Sequence, residues 1–95
     1  MNFIQLVGRV NQMPTPLPKK DNVVYSEMKL EVEQNFRAIR GEIRYDVFPI
    51  RLWRGASEEI VDRCKEGRLL GIKGRLELHD GQFCVIAEHV EHLRP

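Results

Sequence analysis

With 95 residues and a mass of 11.1 kDa, the chain has room for one small domain spanning residues 1–95, which excludes a second catalytic lobe. A hydrophobic content of 42% beside 31% charged residues excludes the core-less composition of a disordered chain. Fifteen basic residues against 14 acidic ones leave a net charge of +1, so the distribution of charge, not its total, decides whether a polyanion can bind.

In chain order, Ile4, Leu6, Gly8 and Val10 alternate with Phe3, Gln5, Val7 and Arg9, the period of two that predicts a strand. Apolar groups lie on both of its faces, so Phe3 and Val7 require cover, either from this chain or from another subunit. From Met13 to Asn22, three prolines predict a loop. Tyr25 to Glu33 then alternates cleanly, with Met28, Leu30 and Val32 inward and Lys29, Glu31 and Glu33 toward solvent. The pattern breaks over Gln34 to Gly41 and resumes from Glu42 to Arg54, with Phe48, Ile50 and Leu52 on the inner face.

A helix follows, with Ser57 as its expected N-cap, Glu58 and Glu59 complementing its dipole, Ile60, Val61 and Cys64 as its apolar stripe, and Gly67 as its end. Arg68 to His79 puts Leu70, Ile72, Leu76 and Leu78 on one side. Asp80-Gly81 makes a tight two-residue turn, and Gln82 to Leu93 returns as a strand. Five strands with a helix between the third and fourth predict an all-β, five-stranded Greek-key barrel of the oligonucleotide/oligosaccharide-binding type, the OB-fold. An SH3-like barrel with an inserted turn is the competing arrangement.

The outer face of the third strand aligns Tyr45, Val47, Pro49, Arg51 and Trp53. Exposed aromatics stack on unpaired bases, and a guanidinium both pairs with phosphate and stacks, so this composition suits a sequence-tolerant single-strand platform. Tyr and Trp are equally the preferred anchors of protein interfaces. Charge separates the two readings. Gln34 to Arg54 holds five arginines (Arg37, Arg40, Arg44, Arg51 and Arg54) against Glu42 and Asp46, while the rest of the chain is net negative.

Phe36, in the polar stretch Asn35-Phe36-Arg37, is a second stacking candidate beside Arg37 and Arg40, or else a loop anchor on the barrel. Lys73 and Arg75 on the fourth strand are weaker candidates because Glu77 shares their face, and Arg9 either extends the groove from the first strand or, as is commoner for a lone strand arginine, is a solvated or paired surface group. Gly71 and Gly74 lie inside a strand pattern and are read as aids to barrel curvature.

His79, His89 and His92 are the only histidines, and no serine, cysteine or carboxylate beside them forms a nucleophile motif, so no enzyme activity is expected. His89 and His92 on a strand face opposite ways, which disfavours a zinc site with Cys84, and no cofactor is expected. Cys64 and Cys84 are too few for a disulfide-stapled secreted domain, which fits a reducing cytosol. Residues Met1 to Arg9 lack a signal-peptide pattern and no stretch approaches the ~18 apolar residues of a membrane span. The small core favours self-association.

Leu6-Val7-Gly8-Arg9-Val10, then Phe48-Pro49-Ile50-Arg51-Leu52-Trp53-Arg54 followed by Ala56 to Gly67, then Lys73-Gly74-Arg75-Leu76, stand in one order along nearly the whole chain. In that order they resemble the bacterial single-stranded DNA-binding proteins. The resemblance implies an OB-fold that binds unpaired DNA in replication, recombination or repair, as a homodimer or homotetramer in the bacterial cytoplasm at the nucleoid. By position, Phe36 is similar to the family's stacking aromatic after the second strand and Trp53 to the aromatic closing the third. Val47 stands where some members carry a stacking tryptophan, with Tyr45 two residues earlier on the same face as a substitute.

Asp80-Gly81 replaces the long basic loop that often joins the family's last two strands, which implies lower affinity. The family's flexible tail with an acidic, phenylalanine-terminated tip has no counterpart after Leu93-Arg94-Pro95, so the resemblance does not extend to recruitment through that tip. A tail-less OB protein of this size also resembles primosomal replication protein N, a dimeric relative, which implies replication-restart proteins as partners. The competing function is a protein-docking OB module with weak or no DNA binding, and RNA is the alternative polymer.

Overall fold

A computed structural model describes residues 1–18 and 25–94. The elements are β1 (Ile4–Pro16), β2 (Tyr25–Glu33), β3 (Tyr45–Trp53), α1 (Arg54–Arg63), β4 (Leu69–His79) and β5 (Gln82–His92). Their strands close into a barrel in the order β1-β2-β3-β5-β4, with β4 returning to β1. Every neighbouring pair is antiparallel except β3 with β5, whose short parallel contact seals the barrel at Ile50 and Val85. This is the OB-fold.

Period-two alternation builds the core. Val10, Met28, Leu30, Ile50, Leu52, Leu70, Ile72, Val85 and Ala87 face inward, and α1, lying against β1, β2 and β3, adds Ala56 and Ile60. Each fully buried Leu, Ile or Met side chain contributes about 1.5–3 kcal/mol of transfer free energy. Among the described residues, one buried apolar residue stays outside this cluster. Ile86 is 3% exposed yet in register with Arg51 on one side and Arg75 on the other, on the outer face.

Several boundaries differ from those expected. The strand at the start runs through Met13, Pro14, Thr15 and Pro16 instead of giving way to a loop. Two register shifts, between Val10 and Gln12 and between Gln12 and Thr15, absorb the irregularity. The Leu17 amide donates to the Tyr25 carbonyl at 2.9 Å, so by alternation Pro16, which lacks an N–H, presents its nitrogen to the side away from β2. The last four residues of the expected loop, 19–22, lie outside the described residues. Strand β3 starts at Tyr45, not Glu42. The segment before it extends the β2–β3 hairpin, with the Gln34 amide donating to the Arg44 carbonyl at 2.8 Å and the Ala38 amide to the Glu42 carbonyl at 3.1 Å.

The helix begins a turn earlier than Ser57. Trp53 is its N-cap without a side-chain hydrogen bond, and no acid stands in the first turn. Ser57 is buried inside the helix, where its hydroxyl donates to the Arg54 carbonyl at 3.0 Å. Glu58 and Glu59 instead pair with Arg54 and Arg63, each at 2.9 Å. Val61 is 55% exposed and leaves the stripe to Ala56 and Ile60, with Cys64 packed beside them. The helix closes at Arg63, and Gly67, with φ +88°, falls in the turn that follows. Both residues of the β4–β5 turn have positive φ, +53° at Asp80 and +78° at Gly81, the pattern of a type I′ hairpin. Leu78 is exposed, unlike the inward position expected, because it pairs with Phe83 beyond the end of the barrel.

Candidate nucleic-acid interface

Successive outward residues of β3 form a row from Tyr45 through Val47, Pro49 and Arg51 to Trp53, about 26 Å long at the usual strand rise. Tyr45 is 55% exposed, Val47 47% and Trp53 41%. The Trp53 indole lies across the first turn of α1, its Nε1 3.5 Å from where a side chain on Gly55 would begin. One end of the row is therefore fixed at the strand–helix junction. At the other end the hairpin extension carries Phe36, fully open to solvent, with Arg37, Arg40 and Arg44, all exposed. Among the described residues Arg37 donates only to the Gly41 carbonyl, at 3.5 Å.

The register of β2 against β3 settles what flanks the row. Tyr25 stands opposite Trp53, Glu27 opposite Arg51, Lys29 opposite Pro49, Glu31 opposite Val47 and Glu33 opposite Tyr45. Directly opposed residues share a face. The arginine-rich loop and strand thus have a neighbour whose outer face holds three acids and one lysine, so the positive field lies along β3 and its loop, not across the sheet.

A groove of about 960 Å³ opens between the end of β1 and the β4–β5 hairpin, lined by Tyr25, Glu27, Pro49, Arg51, His79 and Phe83 among others, with Trp53 outside its lining. Arg51 lines it beside Glu27 and Pro49. Its Nη1 donates to His79 Nδ1 at 3.2 Å, and its Nε is buried without a hydrogen bond. His79 Nε2 lies 2.8 Å from Glu77 Oε1, and the other Glu77 oxygen takes Arg75 at 2.6 Å, which also reaches Glu88 at 3.3 Å. Hydrogen bonds from His79 and then Arg75 hold the Glu77 carboxyl below its usual pKa.

The candidate residues therefore fall into groups. Tyr45, Arg51 and Trp53 share one face, while Phe36, Arg37, Arg40 and Arg44 lie on the hairpin extension beyond its end, Arg44 at the opposite parity to Tyr45. Arg54, at the helix start, is tied to Glu58, Lys73 is exposed on β4, and Arg75 is held by two carboxylates. Arg9 donates to the Gly67 carbonyl at 3.0 Å, pinning the segment after α1 to β1. Sequence reasoning missed Tyr25, His79 and Phe83. Tyr25 had a signal, the same parity on β2 as outward Lys29, Glu31 and Glu33. His79 and Phe83 reach the groove only through the β4–β5 hairpin, which no local pattern aims.

Residues 1–83 match the single-strand binding protein family. Among curated relatives, single-stranded DNA-binding protein B of Bacillus subtilis is 30% identical over 76 residues, covering 80% of this chain and 67% of that protein. The single-stranded DNA-binding protein of Bacillus cereus is 31% identical over an alignment of 104 positions that covers all of this chain and 61% of its own. Against another, from Streptococcus mutans, the match covers 47% of the relative, so the chain spans about half to two thirds of the relatives it matches.

Solved structures share the fold. The mitochondrial single-stranded DNA-binding protein Rim1 of S. cerevisiae superposes with a TM-score of 0.79 at 14% identity, over 98% of this chain and 94% of that one. The dimeric N-terminal domain of PriB from Thermoanaerobacter tencongensis gives 0.71 at 17% identity, over 99% and 98%. With the aromatic row, the groove and these matches together, the chain belongs to the single-strand binding protein family, whose members are non-enzymatic DNA-binding proteins.

Proposed function

We propose that the chain binds single-stranded DNA with little sequence preference, by stacking bases on the β3 row and pairing phosphates with arginines, in replication, recombination or repair. The observation that carries this reading is the open row of Tyr45, Val47 and Trp53, which also holds Arg51, a lining residue of the groove. Aromatic faces accept every base, and arginines that neutralise phosphates release counterions, which makes binding fall with salt. The groove lies where OB-folds receive oligonucleotides, across strands 2 and 3 between the loops that follow strands 1 and 4. Candidate contacts are Phe36, Arg37, Arg40, Arg44, Tyr45, Arg51 and Trp53, with Arg54, Lys73 and Arg75 at the margin.

The chain acts as a homo-oligomer in the same proposal. Phe3, just before β1, is 65% exposed, and Val7 on the outer face of β1 is 47% exposed, and the rest of the described chain leaves both open. Light scattering with and without a thymidine oligonucleotide tests assembly and binding together. A monomer under both conditions contradicts the oligomer. A second reading, docking to a protein in place of DNA, is favoured by Glu27, Glu31 and Glu33 beside the row and by exposed Leu78 and Phe83. Titration with matched DNA and RNA strands tests the polymer preference, and indifference to both supports docking.

A further inference from the structure

Arg51 and Arg75 flank Ile86 in register on the same outer face, yet they are held by different chemistry. Arg75 faces two carboxylates, at 2.6 and 3.3 Å, which compensate its charge. Arg51 forms no ion pair among the described residues, although Glu27 stands opposite it on β2, and its recorded partner is the imidazole of His79. A guanidinium has donors only, so Nδ1 of His79 must be the acceptor. The proton then resides on Nε2, which donates to Glu77 Oε1 at 2.8 Å. One tautomer satisfies both contacts, and Arg75 anchors Glu77 in turn.

We propose that His79 is a positioning residue for the interface: fixed as the Nε2–H tautomer by Glu77, it holds the Arg51 guanidinium in the groove with no carboxylate in ion-pair contact among the described residues, available to a phosphate of the bound strand. A carboxylate in its place would hold Arg51 equally well but cancel the charge that a phosphate needs. A neutral acceptor orients without competing. The Arg51 Nε, buried without a hydrogen bond, marks a guanidinium whose donors are not all used within the described chain.

The proposal rests on the single-strand reading above, so its test has one arm that needs DNA and one that does not. In the first, the fluorescence of the unaltered protein, R51A, H79A, H79N and R51A/H79A is titrated with a thymidine oligonucleotide at low salt. H79A is expected to bind about fivefold more weakly, the double variant no more weakly than R51A, and H79N, whose amide oxygen keeps an acceptor near Nδ1, to retain most of the affinity. An equal loss from H79A with and without Arg51, no loss from H79A, or a loss in H79N as large as in H79A overturns the proposal. In the second arm, long-range proton–nitrogen NMR of the unaltered protein reads the imidazole directly. The Nε2–H tautomer is expected, and the Nδ1–H tautomer overturns the proposal. If the unaltered protein ignores the oligonucleotide, the functional reading fails and the phosphate role with it, while the spectrum still decides the His79–Arg51 contact.

Discussion

Trp53 is the only tryptophan, and its indole is partly open at the end of a row that no other side chain of the described residues is shown to cover. If it stacks on a base, Trp53→Ala weakens oligonucleotide binding by about 1–3 kcal/mol, read by anisotropy of a labelled strand. Arg51→Ala should lower the slope of log affinity against log salt by about 0.7, the share of one phosphate on a single strand. Glu77 gives a prediction about pH. His79 and then Arg75 lower its pKa, so its contribution to stability is complete above the ordinary glutamate range and is lost as pH falls through the lowered value. Glu77→Gln should therefore melt below the unaltered protein at neutral pH, with the difference closing in acid. A difference that is constant with pH would contradict the ionised network. Period two made the outward set Tyr45, Arg51 and Trp53 legible, because parity alone fixes the face of a strand residue. The same parity aligns Arg75, Glu77 and His79 on β4, but the contact of His79 with Arg51 was hidden, since it depends on register across β3, β5 and β4.

The strands themselves were mostly readable, and the exceptions have physical causes. Prolines at 14 and 16 read as a loop because they remove donors, yet β1 keeps them beyond its pairing with β4, which ends at Arg9. Ser57 read as a cap because of its chemistry, but the chain passes from β3 into the helix at Trp53 without a linker, leaving Ser57 inside. Gly74 was read as an aid to curvature. It is buried where the β4–β5 pairing shifts register, Glu88 being the extra residue on β5, and a Cβ there would run into the Ile86 carbonyl of β5. Gly74→Ala should cost about 1–3 kcal/mol in chemical denaturation, because the obstacle is backbone and cannot turn away. Gly71, whose added Cβ would meet Leu93 at 3.5 Å, has ordinary room and serves as the tolerant control. Strand β2 supplies the counterpart to the arginines. Removing one of its acids, with Glu31→Gln, should raise affinity about twofold at low salt and have no effect at high salt, where exposed charges are screened.

Across the whole molecule, a near-neutral chain separates its charge by strand: arginines along β3 and its loop, acids on β2 beside them. The arginine cluster was visible in the sequence, but the acids opposite it were not, since only the β2–β3 register brings them together. No helix among the described residues is long and apolar enough to cross a membrane. The barrel is small, and Phe3 and Val7 are among the large apolar residues it leaves exposed. The central claim, that the β3 row receives unpaired bases, is tested most directly by titrating Trp53 fluorescence with a thymidine oligonucleotide across a salt series. The account predicts saturable quenching at low salt that weakens steadily as salt rises. An indole whose emission stays unchanged at every oligonucleotide concentration in dilute buffer would contradict it.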